Sequence, residues 1–332
     1  MADEVVTVGQ LGALGQLLGT GGQARVYEAP HLRLPDAPGP LVYKEYKPES
    51  KARQGPRQLV KFRNGLEPAG RAKLDGFTAW PLRVVENGQQ VSGVIMPLID
   101  PSFMQLRTLP GTGAKKTSTR EVQNLLVPPQ RAALVGMPVV TVEQRLTICR
   151  DLAAALNWLH AKDLVFGDLN ARNELFRLGG HPSVMLVDCD GVRKKGTMAE
   201  VAQLDAPDWD APEGWLTTQS DCYKFGLFVL RVFSSGDQQS TTRDPARADA
   251  ALDDDGRRLL RATLSEVPAA RPPIEDWGYY FRYRLTGKPP PAADPARTVP
   301  QPRPPVVVPG KPPIRSTTGW VRDKVTGRWT PL

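Results

Sequence analysis

The stretch "LVFGDLNARNELF", Leu164 to Phe176, decides how this chain is read. A carboxylate, Asp168, is followed five residues later by a carboxamide, Asn173, in a polar loop between two apolar runs. Such loop residues bind a metal, move a proton or cap a turn. The sequence downstream bears on the choice. Asn173 opens the run "NELF", and a second run, "VMLV", ends at Asp188, fifteen residues after Asn173. Two short apolar runs separated by turn residues predict a hairpin, and that hairpin would return Asp188 to the side of Asn173. A carboxylate beside a carboxamide offers hard oxygen ligands suited to magnesium. Asp168, at the other end of the loop, is placed to orient an incoming hydroxyl.

Two upstream segments carry related chemistry. "LLGTGGQARVY" sets Gly19, Thr20, Gly21 and Gly22 between strand-like runs, with Val26 five residues beyond Gly21. Glycines let backbone amides approach phosphate oxygens, although a Gly-rich hairpin turn has the same composition. A Rossmann reading fails, because that motif needs a helix directly after its glycines and "ARVYEAP" is strand-like. "LVYKEYK" places Lys44 in an apolar strand 18 residues after Val26. Its ammonium either neutralises phosphate charge or, as an edge-strand lysine, points to water.

The chain has 332 residues, 40% hydrophobic and 23% charged, enough for one large core or two linked lobes. No apolar run approaches the roughly 18 residues of a spanning helix. "MADEVVTVGQ" is acidic and lacks a charged-then-apolar leader, so no secretory signal is expected. Cys149, Cys189 and Cys222 have neither disulfide-framework nor zinc spacing, and a reducing cytoplasm is the simplest setting. The net charge of +8 resides mostly in residues 286–332, with eight basic residues against two acidic. Residues 1–285 are nearly neutral, so no specific nucleic-acid partner is expected.

Residues 6–46 alternate β-branched runs with glycine turns and predict hairpin strands. "GPRQLVKFRNGL" predicts a helix through Leu59, Phe62 and Leu66, and "AWPLRVVENGQQVSGVIMPLI" predicts two strands around Asn87-Gly88. Residues 107–120 predict a mobile basic loop. Thr141 caps a helix whose Leu146, Cys149, Leu152, Leu156 and Leu159 share one face. "DCYKFGLFVLRVFSSG" is apolar nearly all round and predicts a buried central helix, and "DDDGRRLLRATL" predicts another. Twelve of the 33 prolines lie between Pro289 and Pro331, as in an extended linker. The expected fold is α+β and bilobal, with a β-rich N-lobe over 1–99 and a helical C-lobe over 100–285. A Pro-rich basic linker over 286–318 and a short tail over 319–332 follow.

In this order and spacing the chain resembles a eukaryotic-type protein kinase of the divergent sort found in bacteria, over roughly residues 10–285. The resemblance implies ATP and Mg2+ as cofactors. It makes Gly19, Gly21 and Val26 the nucleotide-covering loop, with Ala24 where a third glycine is usual. Lys44 becomes the lysine on the α- and β-phosphates. Met96 guards the adenine pocket, and Leu98 and Ile99 offer hinge hydrogen bonds. Asp168 becomes the catalytic aspartate, and Asn173 and Asp188 the metal ligands. Glu213, in "DAPEGW", pairs with Arg271, and Asp221 bonds the catalytic-loop backbone.

The departures are specific. Phe166-Gly167-Asp168 stands for His-Arg-Asp, which removes the usual receiver of an activation-loop phosphate. Asn170 stands for the lysine that steadies the γ-phosphate, and Arg172 is placed to supply that charge. Asp188-Cys189-Asp190 stands for Asp-Phe-Gly, and Glu67 is the nearest candidate for the helix glutamate that pairs with Lys44. Protein serine/threonine kinase activity is expected, with a small-molecule phosphotransferase and a nucleotide-binding pseudokinase as alternatives. "AWPL", "GVIMPLI" and "LVDCDG" resemble bacterial kinases encoded beside a von Willebrand-type A-domain protein and a phosphatase, as in tellurite-resistance-like clusters. That resemblance implies those two proteins as partners. Thr197 is a candidate autophosphorylation site, and Trp320 and Trp329 flank a "VTGR" turn that suggests a docking hairpin.

Overall fold

The computed structural model describes residues 4–48, 55–109, 111–197, 208–236, 238–288, 320–322 and 329–331. The chain divides into two compact units, Met1–Asp294 and Pro295–Leu332.

The first unit opens with β1 (Val5–Thr7), β2 (Leu17–Thr20), β3 (Ala24–Glu28) and β4 (Leu41–Tyr46). Two helices follow, α1 (Gly55–Asn64) and α2 (Pro68–Phe77), then β5 (Arg83–Asn87) and β6 (Gln90–Pro97). The strands form one six-stranded sheet in the order β1-β5-β6-β4-β3-β2. β1 is not part of a hairpin, as the sequence suggested; it lies parallel to β5, with Val5 opposite Val84. A parallel partner needs a long crossover, which local periodicity does not reveal. The β5–β6 turn centres on Gly88 and Gln89, with Gly88 at φ 63, one residue later than expected. Pro68 begins α2 at its first turn, and Glu67 before it stays extended at ψ 154, as the pre-proline restriction requires.

Residues 107–120 are a correction. They are no plain loop, because β7 (Met104–Thr108) pairs antiparallel with β8 (Lys115–Thr119). The Thr-rich second strand supplies the β-branched residues. α3 (Pro129–Leu134) and α4 (Val142–His160) follow. Thr141 caps α4 as expected: its hydroxyl accepts from the Gln144 N–H at 3.2 Å, and the Gln144 side chain accepts from the Thr141 N–H at 2.9 Å. The expected face is buried throughout, Leu152, Leu156 and Leu159 completely, each contributing about 1.5–3 kcal/mol.

Next come β9 (Leu164–Val165), β10 (Glu174–Phe176), β11 (Val184–Leu186) and β12 (Arg193–Lys194). α5 (Thr218–Phe233) is buried from Ser220 to Phe233 and forms the centre of the helical half. α6 (Asp254–Thr263) and α7 (Ile274–Thr286) close the unit. α7 has no predicted counterpart. Its buried Trp277 and Phe281 stack at 5.2 Å, but Gly278 between them and Arg282 and Arg284 beyond dilute the apolar period. All three cysteines are free and buried.

In the second unit, β13 (Trp320–Arg322) pairs antiparallel with β14 (Trp329–Pro331), Arg322 opposite Trp329. The Pro-rich stretch 289–319 lies outside the described residues. Among the described residues no helix is long and apolar enough to cross a membrane.

Candidate functional site

The hairpin expected between Asn173 and Asp188 is present. β10 pairs antiparallel with β11, Glu174 opposite Leu186 and Phe176 opposite Val184. Beyond its end the Val187 N–H donates to the Asn173 carbonyl at 2.8 Å, so Asp188 sits one residue past Asn173's backbone partner. Asp188 adopts a left-handed backbone, φ 55 and ψ 35, which turns its carboxylate off the strand line.

The loop between β9 and β10 is held from below by α5. Asp221 accepts the N–H groups of Phe166 and Gly167, each at 2.8 Å, and lies 3.0 Å from His160 Nε2. Lys224, also buried on α5, donates to the Gly167 carbonyl at 2.7 Å. Gly167 sits at φ 79, a left-handed conformation that an arginine would adopt only under strain. Phe166 is buried, so its ring packs where a histidine is usual.

Asp168 is held through both carboxylate oxygens. Asn173 Nδ2 donates to Oδ2 at 2.8 Å and to the Asp168 carbonyl at 2.9 Å. Asn170 Nδ2 donates to Oδ1 and to the same carbonyl, each at 3.0 Å. Asn170 Oδ1 in turn accepts the Arg172 N–H at 3.0 Å, and its own N–H donates to Glu174 at 3.2 Å. Asn170, which stands at the usual lysine's position, thus braces the loop. Its amide is buried and tied at both ends, so it orients Asp168 rather than reaching a phosphate. Arg172 is exposed at the loop surface.

β4 supplies the opposing charge. Val42, Lys44 and Tyr46 alternate onto one face of the strand. Gly93 on β6 permits this placement, because a Cβ there would lie 2.1 Å from the Lys44 carbonyl. Lys44 Nζ reaches Asp188 Oδ1 at 3.1 Å and Asp190 Oδ1 at 2.6 Å. The Tyr46 hydroxyl donates to Asp190 Oδ2 at 2.8 Å. Burial opposes the charge on Lys44, but Asp190 and Asp188 more than offset it and raise its pKa. Burial likewise pushes Asp190 up, and the Lys44 ammonium and Tyr46 hydroxyl hold it below its ordinary value. Glu67, the nearest candidate for a glutamate partner of Lys44, is exposed at the N-terminus of α2 and makes no ion pair among the described residues; Lys44 pairs with Asp188 and Asp190 instead.

Gly19 on β2 faces Val26, and the Gly21 N–H donates to the Ala24 carbonyl at 2.9 Å. Thr20 is exposed, and a Cβ at Gly19 or Gly22 would meet nothing within 4 Å. This turn leaves room for a phosphate group. Ala24, Val42 and Met96 pack with Val26 and Leu98 in one apolar cluster, and Leu175 and Met185 pack with Ile99 in another. Consecutive residues thus join two apolar layers, a setting suited to a flat heteroaromatic ring. The Leu98 N–H donates to the Pro40 carbonyl at 2.9 Å. That continues the β4–β6 ladder and takes its amide from any ligand, leaving Ile99 as the hinge donor candidate.

Glu213 and Arg271 form the expected pair through two bonds of 2.8 Å, and Arg271 also donates to the Gln219 carbonyl at 2.9 Å. Thr197 is exposed, its hydroxyl donating to the Lys194 carbonyl at 2.7 Å. The oxygens of Asn173 and Asp188 fit Mg2+, which takes few protein ligands and completes its shell with phosphate and water. Sequence reasoning missed the Tyr46–Asp190 bond, the buried Glu174 and Lys224, and His160. The alternation of Lys44 and Tyr46 on one strand face was the available signal for the first.

Residues 116–267 match the protein tyrosine and serine/threonine kinase family. Tyrosine-protein kinase JAK3 of Rattus norvegicus is 29% identical over 127 residues, which is 36% of this chain and 12% of that relative. The chain thus spans a small part of that protein's length. Both matches support the protein kinase superfamily, and a β-sheet N-terminal half with a helical C-terminal half is the bilobal kinase architecture.

Proposed function

We propose that this chain is a protein kinase that transfers the γ-phosphoryl group of ATP to a serine or threonine hydroxyl of a cytoplasmic protein. The observation that carries the reading is the convergence of Lys44, Asp188 and the Asp168–Asn173 loop, 144 residues apart at the Lys44–Asp188 contact. Phosphoryl transfer needs positioning and charge neutralisation more than covalent chemistry. Lys44 supplies a fixed positive charge for the phosphates, and the open turn at 19–22 supplies backbone amides. Asn173 and Asp188 would hold Mg2+, which when bound neutralises charge on the phosphate oxygens. Asp168, oriented by Asn170 and Asn173, receives the hydroxyl and accepts its proton.

A protein acceptor is favoured over a small molecule by the Glu213–Arg271 pair and by Asp221 beneath the loop. The pair braces the segment after the metal aspartate and Asp221 braces the loop before Asp168, a set that small-molecule kinases of similar fold generally lack. The resemblance to bacterial cluster kinases supports an A-domain protein as substrate, with a cognate phosphatase reversing the modification and the Trp320–Trp329 hairpin as a docking element.

The test is incubation of the purified protein with labelled ATP and Mg2+, followed by phosphoamino-acid analysis. Label on serine or threonine supports the proposal. Label on tyrosine alone would overturn the acceptor assignment, and label nowhere would favour a scaffold. Asp168→Asn should lower transfer by about a thousandfold while nucleotide binding persists. Near wild-type turnover in that variant would show that Asp168 does not receive the hydroxyl proton.

A further inference from the structure

Lys44 faces two carboxylates, and only one of them is available to hold it once the site is loaded. Asp188 is 57% exposed at its side chain and is the residue suited to the metal. Asp190 is only 12% exposed, as is Lys44. It makes the shorter bond to the amine, 2.6 Å against 3.1 Å, and its second oxygen is fixed by Tyr46 at 2.8 Å. The helix packed nearest this turn offers no alternative. Residues 51–66, which include α1, contain neither Asp nor Glu. α1 makes its own buried ion pairs elsewhere: Arg63 bonds Asp36 at 2.7 Å and Asp75 at 2.6 Å.

We infer that Asp190 is the positioning residue for Lys44, with Tyr46 setting its orientation, and that Lys44 is fixed by the metal-bearing turn rather than by a helix. The inference rests on the proposed kinase reading and extends it. A carboxylate two residues from Asp188 ties the amine and the metal ligand to one rigid turn. Movement of α1 then leaves Lys44 in place, and movement of the 188–191 turn releases Lys44 and Asp188 together. A short charge-assisted bond whose far oxygen is also held restricts the amine to one position.

The experiment is a double-mutant cycle of Lys44→Met and Asp190→Asn, read twice in the full-length protein. Without nucleotide, the denaturant midpoint reports whether the pair is coupled. With Mg·ATP, calorimetry reports affinity. Asp190→Asn is expected to weaken Mg·ATP binding about tenfold in the wild-type background and less than about twofold when Lys44 is already Met. Asp190→Glu should restore part of the loss, and Tyr46→Phe should give a smaller loss of the same kind. These two variants also serve if Asp190→Asn does not fold. An equal loss in both backgrounds would make Asp190 a metal ligand in its own right and overturn the inference. So would affinity unchanged by Asp190→Asn, or absent coupling in the denaturant midpoints. Coupling without any Mg·ATP binding by the wild type would overturn the kinase reading instead, and with it the role of Asp190 toward nucleotide.

Discussion

At the residue scale, Glu174 is the least expected member of the site. It is fully buried directly after Asn173, and its Oε2 has no hydrogen-bond partner among the described residues. Burial, helped by the nearby Asp168 charge, pushes its carboxyl well above 4.5, against the opposing Asn170 N–H and Lys224 ammonium. The folded chain therefore keeps this proton at pH values where the unfolded chain has released it. Stability falls as pH rises from the ordinary carboxylate range toward the folded pKa. Glu174→Gln keeps an acceptor for Asn170 and abolishes that slope. The variant should be more stable than wild type by about 1 kcal/mol near neutral pH, with the gap shrinking below about pH 5. Urea midpoints across pH measure this, and a gap independent of pH would argue against a protonated Glu174.

At the scale of the element, α1 is fastened by charge. Its fully buried Arg63 bonds Asp75 on α2 and Asp36 in the β3–β4 connection, and Asp36 also pairs with Arg83 on β5. Burial alone would raise the Asp36 carboxyl, but the bonds from Arg83 and Arg63 override it and bring it to about 2. Its contribution is complete above the ordinary aspartate range and is lost as pH falls through about 4 toward 2. Asp36→Ala leaves two buried guanidinium groups short of a partner and should cost about 3 kcal/mol. Chemical denaturation at neutral pH reads the loss. The penalty should shrink in acid, where wild-type Asp36 is itself protonated, and a constant penalty would show that packing rather than charge fastens the helix.

At the scale of the whole molecule, the proposed site draws on both halves of the first unit. Lys44 comes from the sheet, whereas Asp168, Asn173 and Asp188 come from the helical half. A ligand that binds only when these are together must stabilise the folded chain. Mg·ATP at about a hundred times its dissociation constant should add about 2.7 kcal/mol, a melting shift of several degrees. Calorimetric scans with Mg·ATP, with Mg2+ alone and with ATP plus a chelator separate the contributions. No shift with Mg·ATP would count directly against the nucleotide site.

Much of this was legible in the amino-acid order. The capped face of α4, the buried α5 and the return of Asp188 to Asn173 follow from short-range periodicity and turn chemistry. The Asp221 and Glu213–Arg271 contacts were expected from resemblance at those positions. Other features depend on partners far away in sequence. β1 lies parallel to a strand nearly eighty residues away, and α7 is fixed by tertiary packing of Trp277 rather than by its own pattern. The Leu98 amide looked like a ligand contact until the fold gave it to the Pro40 carbonyl. Asp190 stood only as a departure from Asp-Phe-Gly until β4 brought Lys44 and Tyr46 to it. Local sequence determines helices, caps and hairpins, because those energies act over a few residues. Which buried charge meets which is decided only by the tertiary structure, because desolvation leaves each ion dependent on whatever partner the packed chain places beside it.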